Sequence, residues 1–196
     1  MKKSLTLVVL LVFGAFTAAK ADLVWKQGYV VLNSGDTLKG EVKYNTKKEL
    51  SLFSKVTLKN AENVQKNYKP EDLKGFGYED VRFLTRTMDR ELVFLKLVSE
   101  GQINLFEWQF EVYHGDQTLV EKDFYVEKVG GTEKEPKKLK GNHFKKTVSE
   151  LMADHSELVA RVESEDKKYE IKDMQSVIEE YNDWYASEHG TLKGTR

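Results

Sequence analysis

The run Gln102-Ile103-Asn104-Leu105-Phe106-Glu107-Trp108-Gln109-Phe110-Glu111-Val112-Tyr113 alternates apolar and polar side chains, the signature of a strand with two unlike faces. Its apolar set changes sides, however. Ile103 and Leu105 point one way, whereas Phe106, Trp108, Phe110 and Val112 point the other. A β-bulge, or a strand passing between two packed layers, produces such a switch. Three rings on one face carry on the order of 450–750 Å² of apolar surface, at 150–250 Å² each, too much for a monomer to leave in water. They must therefore be covered. The cover expected from this chain is its own amphipathic C-terminal helices, and the functional alternative is that Phe106, Trp108 and Phe110 form a partner or ligand platform.

Outward from this run, short separators divide a series of β-type segments. Strands are expected at residues 29–32, 37–44, 50–58, 64–68, 76–78, 81–87, 91–98, 102–113 and 118–128. Met88-Asp89-Arg90, Ser99-Glu100-Gly101 and His114-Gly115-Asp116-Gln117 suit hairpin connections, so an antiparallel meander follows. Asn33-Ser34-Gly35-Asp36 joins the first pair, in which Gly40 interrupts an apolar face and calls for a sharp bend or a close backbone approach. Beyond residue 128 the period becomes helical. Phe144, Val148, Leu151 and Met152 form one stripe with Asn142 as its cap, and Leu158, Val159 and Val162 form a second behind Ser156. Met174, Val177, Ile178, Tyr181, Trp184 and Tyr185 form a third, opened by Asp173. The fold class is α+β: a strongly bent antiparallel sheet, or a partly open barrel or sandwich, of about seven to nine strands followed by packed helices.

Organisation along the chain follows from the same pattern. Lys2 and Lys3 precede an apolar run over residues 5–16, and Ala19-Lys20-Ala21 completes a secretory signal peptide. The apolar run is shorter than the roughly 20 residues that a bilayer-crossing helix needs. Residues 22–196 then read as one secreted domain, exported to the periplasm or beyond. It comprises a β-rich part at 22–128, a charged linker at 129–143, a helical part at 144–189 and a frayed tail at 190–196. Export removes three lysines and no acid, taking the formal charge from -1 to -4. That balance disfavours nucleic acid and anionic membrane surfaces, which reward clustered positive charge. The absence of Cys rules out disulfide scaffolds, thiolate metal sites and thiol nucleophiles.

Several of these segments resemble a family of uncharacterised secreted proteins of Bacteroidota. The resemblance rests on Gly28-Tyr29-Val30-Val31-Leu32 with Gly35-Asp36-Thr37-Leu38-Lys39-Gly40, and on Tyr68-Lys69-Pro70-Glu71-Asp72-Leu73-Lys74-Gly75-Phe76-Gly77. It extends to Phe94-Leu95-Lys96-Leu97-Val98 with Glu100-Gly101, and to Ile178-Glu179-Glu180-Tyr181-Asn182. It implies an extracytoplasmic bacterial protein and supplies no site residues. Asp154-His155-Ser156 stands where many relatives have Asp-Cys-Pro, so a thiol role there is absent. Residues 31–42 are also similar to the opening hairpin of Sm-like small barrels, a mild pointer to a barrel.

Motifs for catalysis are weak. His114, His143, His155 and His189 are scattered without metal-ligand spacing and read as surface residues. No nucleophile elbow, phosphate loop or dinucleotide fingerprint occurs, and no cofactor is expected. Glu107 and Glu111 share a strand face and could form a carboxylate pair, but they read more simply as its solvent side. The function expected is a non-catalytic, extracytoplasmic module that binds an envelope protein or a glycan, or serves structurally. A hydrolase of envelope polymers with a scattered site is the alternative, and a concave pocket with converging acids would separate the two.

Export with cleavage after Ala21 gives a mature chain beginning at Asp22, checked by the intact mass of the exported protein. A product retaining Met1 would contradict it.

Overall fold

A computed structural model describes residues 23–45, 49–164 and 169–190; the expected signal peptide at 1–21 and the tail at 191–196 lie outside these. The ten strands are β1 (Leu23–Leu32), β2 (Thr37–Asn45), β3 (Val56–Lys59), β4 (Gln65–Tyr68), β5 (Leu73–Tyr78), β6 (Val81–Met88), β7 (Glu91–Ser99), β8 (Ile103–His114), β9 (Gln117–Lys128) and β10 (Lys137–Lys138). Three helices follow: α1 (Phe144–Leu151), α2 (Ser156–Glu163) and α3 (Met174–His189). The strands form one open antiparallel sheet in the order β10-β9-β8-β7-β6-β5-β1-β2-β3-β4. The expected α+β architecture is therefore present, with ten strands among the described residues where about seven to nine were expected, and with the sheet unclosed.

Register explains how one sheet serves three apolar clusters. Val30, Phe76, Phe83, Lys96, Glu107 and Phe124 are successive cross-strand partners and define one face. At its β1–β7 end that face carries Val30, Val42, Phe76, Phe83 and Phe94, closed by Leu52 and Phe53 from the 3-10 turn Glu49–Phe53. The turn follows β2, yet Phe53 meets Phe83 edge-on at 5.3 Å and Glu49 pairs with Lys96 of β7 at 2.8 Å. The sheet must therefore curl through β1, β5 and β6 to bring this turn back. At the other end of the same face, Ile103, Leu105 and Val126 pack with Phe144, Val148, Met152, Leu158, Val162, Val177, Ile178 and Tyr181 of the helices. The opposite face holds Met88, Leu95, Phe106 and Tyr125, with Leu84, Val93, Leu97 and Trp108 against them.

β8 is thus buried on both sides from Ile103 to Glu107, as the change of apolar face predicts. The register of β7 against β8 slips between Leu97 and Ser99, opposite Leu105 and Phe106. One sequence expectation fails here. The helices cover Ile103 and Leu105, on the face opposite to Phe106, Trp108 and Phe110. Phe106 is instead roofed by Arg86, whose guanidinium lies 5.2 Å from the ring and pairs bidentately with Glu127 at 2.8–3.1 Å.

Other local readings are corrected for identifiable reasons. Residues 50–58 do not form one strand, because Leu52 and Phe53 are adjacent and both join the same core cluster, whereas a strand would send them to opposite faces. Lys55 N–H instead closes on the Ser51 carbonyl at 3.1 Å. Asn142 does not cap α1, which grows from the 3-10 turn Gly141–His143. Ser156 is the first residue of α2 rather than its cap. The charged linker is partly structured: Lys137 and Lys138 pair with Val126 and Tyr125, and Leu139 is buried among the helices.

Two close approaches fix the sheet. A Cβ on Gly40 would lie 2.3 Å from the Lys59 carbonyl of β3, confirming the tight contact expected there. A Cβ on Gly101 would lie 2.3 Å from the Asn182 carboxamide. That carboxamide accepts the Ile103 N–H and donates to the Ile103 carbonyl, both at 2.9 Å and both buried. Asn182→Ala leaves two buried backbone groups unpaired, for a loss of about 2–4 kcal/mol. Gly101→Ala displaces the same carboxamide. In a double-mutant cycle read by urea unfolding, the two losses should fall well short of additive; full additivity would mean that the contact is not shared.

Candidate functional site

Beyond Glu107, β8 leaves β7 behind: the β7–β8 ladder ends at the Lys96–Glu107 pair, whereas the β8–β9 ladder runs on to the His114–Gln117 pair. Residues 109–122 consequently form a two-stranded arm. A positive φ of 59° at Gly115 closes it, a backbone value that the missing Cβ permits. Cross-strand pairing sorts its side chains. One face carries Trp108, Phe110, Val112 and Leu119, with Glu121 opposite Phe110 and Asp123 opposite Trp108. The other carries Gln109, Glu111 and Tyr113, facing Lys122, Val120 and Thr118.

The root of this arm is fixed and its tip is open to water. Trp108 packs against both the curled-sheet cluster and the Phe106 cluster, 5.5 Å from the Phe110 ring and 6.2 Å from Tyr125. Burial, reinforced by Asp123 and Asp89, pushes the Tyr125 phenol up to about 12, so it stays neutral and anchors as an apolar group. Asp123 is tied across to Lys138 of β10. Toward the tip Tyr113 is 73% exposed, Val120 58% and Leu119 46%. Such large apolar residues on both faces of a narrow ribbon offer binding area without reorganisation of a core.

The residues singled out in the sequence meet different fates. Trp108 and Phe110 lie side by side and half-buried at the arm's root, whereas Phe106 is fully buried below them and presents no surface. Tyr113, Leu119 and Val120 complete the exposed patch and were not singled out. The adjacent pair Leu119-Val120 was the available signal, since neighbouring apolar residues in a strand must populate both faces. Glu107 and Glu111 do not act as a pair: Glu107 is buried and accepts from Gln109 at 2.7 Å and Lys122 at 3.3 Å, while Glu111 is exposed near the Tyr113 hydroxyl.

Two grooves lie elsewhere on the surface. One, of about 700 Å³ between α1 and α2, is lined by Lys145, Ser149, Glu150, Ala153, Val159 and Ala160. The other, of about 360 Å³, lies beside Pro70, Leu73, Thr85 and Leu92. Among the described residues, no group of three or more His, Asp or Glu is placed to hold a metal ion, and no helix is long and apolar enough to cross a membrane. His155 stacks on Trp184 at 4.1 Å and His189 on Tyr185 at 4.2 Å, so these imidazoles extend the aromatic surface of α3. Beside them Asp154 receives the Tyr181 hydroxyl at 2.9 Å and Lys128 at 3.2 Å.

These features define an α+β protein with an open, curled sheet, a helical layer on one face and a projecting β-arm. Comparison with protein-family models, with curated proteins and with solved structures finds no match.

Desolvation opposes the Asp154 carboxylate, but the Tyr181 and Lys128 hydrogen bonds outweigh it and hold its pKa below the usual carboxylate range. A depressed folded-state pKa adds stability above the unfolded value that is lost as pH falls through the folded one. Tyr181→Phe should therefore be less stable than wild type at pH 7, with the gap narrowing below about pH 4. Urea midpoints across that range check this, and a gap that widens on acidification would contradict it.

Proposed function

We propose that this chain is a non-catalytic protein of the cell envelope that works by holding a partner on its β8–β9 arm. The observation that carries the reading is the arm itself: a ribbon with a packed aromatic root and an exposed apolar tip, extending past the last β7–β8 pair. A rooted anchor beside accessible apolar area is the arrangement in which binding energy concentrates. The N-terminal signal pattern and the net negative charge after its removal support an extracytoplasmic setting and a protein or glycan partner rather than nucleic acid. The resemblance to secreted proteins of Bacteroidota points the same way.

Tip and root respond differently to substitution on this reading. Tyr113→Ala and Leu119→Ala change surface positions and should shift stability by no more than about 0.5 kcal/mol. Each should weaken capture of an envelope partner by about fivefold or more, the factor equivalent to 1 kcal/mol. Trp108→Ala should lose both capture and stability, because Trp108 also packs against two clusters. Capture from envelope extracts, with thermal melts alongside, measures both quantities. Retention of every partner by Tyr113→Ala and Leu119→Ala would remove the arm from function.

A further inference from the structure

Along β8, alternate residues direct their backbone N–H and C=O groups to alternate edges. Ile103 identifies the set facing β7, because its N–H and C=O are taken on that side by Asn182 where β7 is not paired with it. The odd-numbered residues therefore share this edge. Leu105 and Glu107 lie within the β7 ladder, whereas Gln109, Glu111 and Tyr113 meet no strand on that side among the described residues. The two-residue turn at Gly115 and Asp116 agrees, since it closes on the His114–Gln117 pair and turns even-numbered residues toward β9. An open edge of this kind takes another strand.

From this geometry we propose that the edge pairs with the same edge of a second copy of this chain, antiparallel about a two-fold axis at Val112. The proposal rests on reading the arm as an interaction surface and names its partner. In a two-fold pairing the facing residues must share a sheet face, so the axis falls at a residue rather than between two. An axis at Glu111 sets carboxylate against carboxylate. An axis at Val112 sets each Glu111 opposite the other copy's Tyr113, whose hydroxyl can donate to that carboxylate, and each Phe110 opposite His114. The backbone agrees: Glu111 and Tyr113 both present N–H and C=O outward, so these pairs exchange hydrogen bonds, while Val112 occupies the close, non-hydrogen-bonded position. Leu119 already sits beside Val112. The two-fold therefore builds an unbroken apolar row, Leu119-Val112-Val112-Leu119, across four strands. The exposed residues of one arm become the cross-strand neighbours of the other.

The chain has no native Cys, which allows a register-specific test on the exported protein. At a close antiparallel pair the Cα atoms lie about 4.5 Å apart, inside the 4.4–6.8 Å that a disulfide spans. Val112→Cys should thus form a disulfide dimer readily in glutathione buffer. Leu119→Cys should not, because its two copies stand three strand spacings apart, about 14 Å. In sedimentation experiments, association of the unmodified chain should rise with concentration and be abolished by Val112→Lys or by Val112→Glu. An equimolar mixture of those two variants should restore it, which a folding defect could not do. Equal crosslinking of both cysteines, no crosslinking at Val112→Cys, or no restoration on mixing would overturn the proposal. A chain that stays monomeric while Tyr113→Ala still weakens partner capture would refute the second copy alone. A monomer whose capture ignores Tyr113→Ala would refute the binding arm as well.

Discussion

The carboxamide of Asn182 behaves as a short piece of β-strand. It offers one acceptor to the Ile103 N–H and one donor to the Ile103 carbonyl, at 2.9 Å each, where β7 is no longer in register with β8. Two buried backbone groups without partners would cost about 1–3 kcal/mol apiece, so the bulge depends on a side chain arriving from elsewhere. It comes from α3, 79 positions further along the chain. Only a residue without a Cβ at position 101 admits it. The same contact sets the depth and rotation of α3, and with them the seating of Val177, Ile178 and Tyr181 on Ile103, Leu105 and Val126.

One consequence is the separation of two cores on a single sheet face. Between the curled-sheet cluster and the helix cluster runs a line of alternating charge: Glu49 pairs with Lys96, Lys96 stands opposite Glu107 in the ladder, and Glu107 pairs with Lys122. Cross-strand opposites are favourable where like charges would repel. Each ion has a neighbour of the other sign, and the line divides the two apolar layers. The opposite face needs no helix, because Arg86, held by Glu127, lies over Phe106. Arg suits that role, since its planar cation stacks on a ring while its fork binds a carboxylate.

Much of this was legible in the residues, and the failures have definite causes. The switch of apolar face at Leu105-Phe106 pointed to a bulge or to a strand between two layers, and the second holds: β8 is buried on both faces, while the extra residue, Val98, lies in β7. It could not say which layer lay on which side, and the helices were expected over the wrong rings; periodicity identifies a face without naming its neighbour. Gly40 was readable as a close approach because a Gly inside a strand has few other uses. Gly101 looked like an ordinary hairpin residue, since its partner Asn182 is distant in sequence. The fold alone brings these two segments into contact. The exposed members of the arm were hidden for another reason: Tyr113, Leu119 and Val120 have ordinary strand composition, and they are uncovered because the ribbon runs past the β7 ladder and no core cluster packs on its tip.

The edge of β8 therefore carries three solutions to one problem. A side-chain amide satisfies Ile103, a strand neighbours Leu105 and Glu107, and no strand among the described residues reaches Gln109, Glu111 and Tyr113. A two-stranded ribbon is marginal in water unless something supports it. Here the support is concentrated at the root, where Trp108 and Tyr125 are packed and Asp123 is tied to Lys138. Stability supplied there leaves the tip free of a role in folding. The tip can then carry exposed apolar groups without exposing the core. That division of labour, with packing below and an exposed tip above, follows from where β7 stops pairing with β8 beyond Glu107, while Asn182 supports the opposite end of the same edge at Ile103.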